Sequence, residues 1–370
     1  MAVSSQLVSI PNTIIEEASC PQAQGLYFLY RLRLGRTKIA WFDCWIVIHT
    51  ENARQGERGM ATPLLKIGTR GSPLALAQTE EARARLVARH PELAAEGAIA
   101  LVVIRTTGDR IRDRPLRDIG GKGLFTKELD EAMVERRIDI AVNSVKDLPS
   151  VLADGIVIAC SLPREDPRDA FVSAKAKTLK DLPSASVVGT SSPRRQAQIL
   201  HLRPDLRIVD LRGNVDTRIA KIANGDADAT YLALAGLKRL GRADAASHIV
   251  PSDEMLPAAG QGAIGITCRA DDDRRLALLG AIDDRATACA IGAERALLAA
   301  LGGSCNTPIA ALCTRTESGL GLEGLVAEPD GKKLWRTWRE GPSDEAEAMG
   351  RDAGAELLRR AGPGFIVSLG

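Results

Sequence analysis

From Leu64 onward, short apolar runs alternate with stretches whose apolar residues recur at helical spacing. Strands that alternate with helices can bury their faces only by stacking in layers, so this pattern restricts the chain to α/β architecture. LLKIGTR reads as a strand, after which Ser72 and Pro73 cap and open the helix LALAQTEEARARLVARH. AIALVVIRTT is a second strand, KELDEAMVERR a helix, and IDIAVNSV a third strand that runs into the turn KDLPS. VVGTSSPRRQAQIL repeats strand, cap and helix with Ser192 and Pro193 in the capping roles, and LRIVDLRGN with VDTRIAKIANG repeats it again. DADATYLAL is then a strand and AGLKRLG a short helix ending on Gly241.

RRIDIAVNSVKDLP and GDADATYLALAGLKRLG both place an acidic residue and alanine in a strand before a basic turn or helix. Two similar α/β units would produce this loose echo. After a helix and loop over Asp272 to Asp284 comes a third unit. Its Ala-rich helix ATACAIGAERALLAAL ends at Gly302-Gly303, strand-like segments PIAALCTRT, LGLEGLVAE and KKLWRTW follow, and a helix spans Asp344 to Arg360. That order reads as α+β.

A length of 370 residues accommodates two or three such units. Lys plus Arg (49) nearly balance Asp plus Glu (47), which argues against a dedicated nucleic-acid binder. Seven cysteines with no CxxC pair do not form a disulfide framework, and His49, His90, His201 and His248 are too scattered for a zinc motif. Apolar runs fall short of the roughly 20 residues a membrane span needs. A soluble protein of a reducing cytosol is the expectation.

Residues 1–59 do not match the rest. They hold six of the twelve aromatic residues and lack the later periodicity. They form neither a good secretory signal nor, with Glu16, Glu17, Asp43 and Glu51, an acid-poor transit peptide. The expectation is that Met60 is the natural start and that QGERG before it is translated upstream sequence; a real N-terminal extension is the alternative.

Arginines at helix starts are the most informative chemistry. Arg194 and Arg195 follow the cap TSSP, where unpaired N–H groups already favour an anion. Arg212 stands at a strand end and Arg218 in the first turn of the next helix. Strand C-termini of an open α/β sheet converge on one crevice, so these four can share a ligand bearing several carboxylates. Any one of them alone would be an ordinary solvated charge. Asp147, at a strand end, can stabilise a developing cation or move protons, although a lone Asp there would more often cap its turn. Lys122 lies in the Gly-rich loop GGKGLF, which lacks Walker spacing and reads as a lid or anion-contacting loop. Cys305, in GGSCNTP, occupies an exposed-looking loop, unlike Cys160 and Cys268; most lone cysteines are inert, and a helix C-terminus does not activate one.

Taken together, nine blocks are far more specific. TRGSPLALAQ (69–78), GGKGLFTKELD (120–130), VNSVKDLPS (142–150), REDPRDAFVS (164–173), VGTSSPRRQAQ (188–198), LRGNVDTR (211–218), LALAGLKRLG (232–241), LPAAGQGAIGI (256–266) and GGSCNTPIAA (302–311) occur in the order found in porphobilinogen deaminases (hydroxymethylbilane synthases). From about Leu64 the chain resembles that family, less closely after residue 313.

The resemblance implies two periplasmic-binding-protein-like α/β domains around a cleft, crossed twice by the chain, plus a C-terminal α+β domain with a small antiparallel sheet. Mapped onto this chain, the domains are 62–162 with 263–280, 168–256, and 285–370, the last carrying the cofactor cysteine. The implied reaction joins four porphobilinogen molecules head to tail, releases four ammonia and yields the linear tetrapyrrole hydroxymethylbilane. A dipyrromethane cofactor would be attached through Cys305, and Asp147 would be catalytic. Ser72, Lys146, Thr190, Ser191, Ser192, Arg194, Arg195, Arg212, Asn214, Arg218 and Gln261 would hold the cofactor. Arg70, Lys122, Phe125 and Arg239 would contact substrate. The resemblance further implies a cytoplasmic monomer that uses no metal, meets neither nucleic acid nor membrane, and hands its product to uroporphyrinogen-III synthase.

The chain departs from the pattern at Asp118, where many members have Lys, and at Gly71, where some have Gln; both touch fine substrate contacts rather than the reaction. Two rival readings are a non-catalytic two-lobed anion binder, which needs neither Cys305 nor a third domain, and an enzyme using Cys305 as acyl or redox nucleophile, which needs a partner base.

Overall fold

The computed structural model describes residues 63–110, 123–303, 307–362 and 365, together with the short strands at 9–10, 13–14, 28–30 and 44–46. The expectations for the rest of residues 1–59, and those for Asp118, Lys122 and Cys305, lie outside the described residues.

From Leu65 the chain runs through β1 (Leu65–Arg70), α1 (Pro73–Arg89), β2 (Ile99–Ile104), α2 (Lys127–Val134), β3 (Ile140–Ser144) and β4 (Ile156–Ser161). It continues through β5 (Asp169–Ser173), β6 (Val187–Gly189), α3 (Pro193–Leu202), β7 (Arg207–Val209), α4 (Val215–Ala223), β8 (Ala229–Ala233), α5 (Leu234–Arg239) and β9 (His248–Ile249). Then come β10 (Ile264–Arg269), α6 (Asp273–Gly280), α7 (Arg285–Ala300), β11 (Ile309–Arg315), β12 (Leu320–Ala327), β13 (Leu334–Gly341) and α8 (Ala346–Ala361).

Two five-stranded mixed sheets share one topology. The first has the order β2-β1-β3-β10-β4 and the second β7-β6-β8-β5-β9. In each, three parallel strands are followed by an antiparallel one, β10 in the first and β5 in the second. Strand β5 is where the chain arrives in the second sheet, and β10 is where it returns to the first. The chain therefore passes between the sheets twice. The loose echo in the sequence falls on β3 and β8, which hold the same place in their sheets.

Local chemistry explains the element starts. Ser72 accepts from the Ala75 amide at 3.2 Å and Pro73 occupies the first turn of α1. Ser192 and Asn214 cap α3 and α4 in the same way. Beneath α1, Leu65, Ile67, Ile140, Ile264 and Ile266 close the first core, and Phe171, Val188, Ile199 and Tyr231 close the second.

The third sheet, β11-β12-β13, is antiparallel and carries α7 and α8 on one face. The two helices touch closely: a Cβ on Gly350 would lie 2.2 Å from the Ala293 carbonyl oxygen, so only glycine permits the crossing. Leu297, Leu322, Val326 and Leu357, none of them exposed, fill the space between helices and sheet. The fold is thus two α/β units and a C-terminal α+β unit with a small antiparallel sheet.

Glu294 of α7 is fully buried and ties the parts together. It pairs with Arg164 at 2.6 Å, and it accepts from the amides of Gly260 at 2.6 Å and Cys313 at 2.7 Å. Arg164 and Gly260 lie on the two passages between the sheets, and Cys313 lies on β11. One carboxylate on the third unit thus fixes both passages.

Candidate active site

The C-terminal ends of the parallel strands converge, as expected of open α/β sheets. Arg70 ends β1, Ser144 ends β3 and leads into the turn Val145–Asp147, Thr190 follows β6, and Arg212 lies three residues past the end of β7. Arg70 lies on Asp109, with Nη2 to Oδ1 at 2.5 Å and Nε to Oδ2 at 3.2 Å, and its Nη1 stands 3.7 Å from Oδ2 of Asp147. Burial works against the Arg70 charge, but Asp109 and Asp147 outweigh it and raise its pKa. The Phe125 ring stacks on the guanidinium, whose carbon is 4.3 Å from the ring centroid.

Between these groups is a cavity of about 40 Å³, lined by Arg70, Ser72, Gln78, Phe125, Ser144 and Asp147. The Asp147 side chain, 31% exposed, faces the open side. Gln78 and Ser144 were not anticipated: the Gln78 Nε2 donates to Ser144 Oγ at 2.8 Å at the back of the cavity. A glutamine six residues past the cap, on the buried face of α1, was the available signal.

Basic groups gather opposite. Burial, with the nearby Arg195 and Arg194 charges, pulls the Lys146 amine down to about 8 despite the opposing influence of Asp147 and Asp169. Burial and the charges of Arg195 and Arg212 likewise lower Arg218 to about 10. Thr190 is buried and its Oγ1 accepts from the Ser192 amide, while the Ser191 hydroxyl donates to the Leu211 carbonyl. Asn214 keeps to its capping role, accepting from Thr217 at 2.8 Å.

Two placements add protein partners that the sequence reading did not name. Arg194 and Arg195 do not stand in the cleft as unpaired cations. Both grip Asp169, at 2.9 and 2.7 Å, and the Arg194 Nη1 also donates to the Leu256 carbonyl. Asp169 is wholly buried; burial alone would raise its pKa, but the two arginines hold it well below the usual carboxylate range. Gln261 joins the same group, donating to Asp169 at 2.9 Å and to the Pro167 carbonyl at 2.7 Å. The Nε atoms of Arg194 and Arg195 and the Oε1 of Gln261 are buried without a partner.

Arg239 is the second. It binds Glu81 of α1 at 3.0 Å and the Gly262 carbonyl at 3.1 Å, so it ties α5 to α1 and to the returning passage rather than reaching toward the arginines. Its side chain is only 9% exposed because that junction covers it.

Among the described residues there is no cluster of metal-ligating side chains and no helix long and apolar enough to cross a membrane. Burial pushes the thiols of Cys160 and Cys313 up to about 12 and that of Cys268 to about 11, which makes them poor nucleophiles.

Comparison with known proteins agrees with this geometry. Residues 65–277 match the family model described as "Porphobilinogen deaminase, dipyromethane cofactor binding domain", and residues 288–359 match the porphobilinogen deaminase C-terminal domain. The chloroplastic porphobilinogen deaminase of Oryza sativa subsp. japonica is 53% identical over 320 residues, 86% of this chain and 89% of the relative. That of Nitrobacter winogradskyi is 54% identical over 304 residues, 82% of this chain and 96% of the relative. Among solved structures, a periplasmic substrate-binding protein of an ABC transporter from Coxiella burnetii is 16% identical, with 59% of this chain and 91% of that chain aligned at a TM-score of 0.38, a likeness too slight to establish a shared fold. With models covering most of the chain from Leu65 and relatives identical at more than half of the aligned positions, the chain belongs to the porphobilinogen deaminase family.

Proposed function

We propose that the chain condenses four porphobilinogen molecules into hydroxymethylbilane, as a transferase, with Asp147 as its catalytic carboxylate. The observation that carries this is the placement of Asp147: a half-exposed carboxylate 3.7 Å from Arg70, at the mouth of a small cavity, with a bank of basic side chains opposite.

Each porphobilinogen carries two carboxylates. Loss of ammonia leaves an electron-poor carbon on the substrate, and a preorganised carboxylate stabilises the charge as it develops. Asp147 serves that role, while Arg70, held rigid by Asp109 and Phe125, keeps the carboxylate oriented and binds the substrate's own carboxylates.

The donor set suits a polycarboxylate. Lys146, Arg194, Arg195, Arg212 and Arg218 outnumber Asp147 and Asp169, and the buried Arg194 and Arg195 Nε donors have no partner. When bound, the dipyrromethane supplies a nucleophilic pyrrole carbon that no side chain offers. Lys146, Arg212 and Arg218 would hold its acetate and propionate groups directly, with Ser72, Ser192 and Asn214 presenting helix N-termini. Thr190, Ser191 and Gln261 shape that wall, and Lys122 and Phe125 belong on the substrate side. Attachment is assigned to Cys305, five residues past the end of α7 in the sequence. We assign domain limits of 62–162 with 263–280, 168–256, and 285–370, and a monomer acting in the cytoplasm.

Incubation with porphobilinogen tests the whole reading. The expected result is hydroxymethylbilane with four ammonia per tetrapyrrole, and a peptide containing Cys305 that carries the mass of a dipyrromethane. An active protein whose Cys305 peptide is unmodified would refute the attachment; no turnover of porphobilinogen would refute the activity.

A further inference from the structure

The turn that presents Asp147 is held from behind by a single face of α7. Val145, 1% exposed, opens the turn and packs on Ile291 and Ala263. Glu294 accepts from the Gly260 amide, and Gly260 lies directly against Val145: a Cβ there would come within 2.4 Å of Val145 Cγ1. Arg295 then closes the far side. Its Nη2 donates to the carbonyls of Pro149 at 2.9 Å and Ser150 at 3.2 Å, immediately past the point where the Leu148 amide closes on Val145. Ile291, Glu294 and Arg295 stand at i, i+3 and i+4, the spacing that puts three side chains on one helix face.

We propose that Arg295 is a positioning residue for the reaction: by gripping the Pro149 and Ser150 carbonyls it fixes the turn Val145–Asp147 against α7 and so sets where the Asp147 carboxylate stands. This rests on the assignment of Asp147 as catalytic. One guanidinium nitrogen with two successive carbonyls as acceptors holds this stretch of backbone at two points, which a single hydrogen bond does not.

Arg295→Ala tests this. Displacing a catalytic group by about an ångström costs on the order of 100-fold in rate, so kcat is expected to fall about 30- to 100-fold while KM stays within about 3-fold. Amide exchange is expected to quicken at Asp147, Leu148 and Ser150 and to stay unchanged within α7. An open groove of about 500 Å³, lined by Ser150, Gly292, Arg295, Ala296, Glu347 and Arg351, gives free guanidinium access to the vacated place. Guanidinium chloride at tens of millimolar should therefore recover much of the lost kcat, and equal urea should not. Arg295→Lys, which keeps the charge on a shorter side chain, is expected to lie between, and serves if the alanine variant does not fold.

A wild-type kcat in Arg295→Ala, or a loss that guanidinium leaves untouched with exchange in the turn unchanged, would overturn the proposal. Asp147→Asn measured alongside separates the two readings. If Asp147→Asn is inactive and Arg295→Ala is normal, only the positioning role fails; if Asp147→Asn turns over like wild type, the assignment beneath it fails.

Discussion

Arg195 meets Asp169 at 2.7 Å inside the protein, where neither side chain is more than a tenth exposed. Arg194 takes the other oxygen of the same carboxylate. The basic cluster is therefore built on a buried counter-ion: Asp169 neutralises part of it, and the Nε atoms of both arginines are left without a partner.

Asp169→Asn preserves shape and removes that counter-ion. Breaking a buried ion pair from one side costs about 3–5 kcal/mol, because the remaining charges stay buried and uncompensated. Urea unfolding of the variant and the wild type is expected to differ by that amount at similar m. A loss below about 1 kcal/mol would mean that the arginines find other partners or water readily.

Lys146 gives a pH signature. Its amine is pulled down to about 8 in the folded chain by burial and by Arg195 and Arg194. Below pH 8 the folded state carries a charge it disfavours. Between there and the ordinary lysine value of about 10.4, the unfolded chain keeps a proton that the folded chain has shed, so stability rises with pH through that window. Without bound carboxylates, the urea midpoint should show this rise in the wild type and lose that component in Lys146→Met. An identical pH profile in both would show that Lys146 does not titrate there.

Arg239 offers a test of placement. Because it binds Glu81 and the Gly262 carbonyl, Arg239→Met should weaken the junction of α5 with α1 by about 1–3 kcal/mol, the usual loss when a charged hydrogen bond is broken, and leave KM for porphobilinogen nearly unchanged. A KM raised tenfold at wild-type stability would instead put Arg239 on the substrate.

What was legible in the sequence was local. Ser72 and Ser192 announced their helices because a cap is written within four residues, whereas the Asn214 cap came from the structure; Arg70, Asp147 and Arg212 could be placed at strand ends because apolar runs stop there. The partners of the charges were not legible. Arg194 and Asp169 are 25 residues apart and meet only because β5 runs antiparallel into the middle of the second sheet; Arg239 and Glu81 are separated by 158 residues. Periodicity marks which residues face a core but not which strands enter from another unit, so the return over β10 was implied only by the family resemblance, and the place of Asp169 on β5 came only from the structure. Gln78 was hidden for a related reason. Its partner Ser144 lies 66 residues away, at the end of a neighbouring strand.

The central claim is that the Asp147 carboxylate carries the chemistry, and turnover by Asp147→Asn, with the intact mass recorded on the same sample, tests it most directly. The charge is lost and the shape kept, so kcat is expected to fall by about 100-fold or more, the range supplied by a positioned acid–base or electrostatic group, while the mass still shows a bound dipyrromethane. Wild-type turnover in that variant would contradict the account.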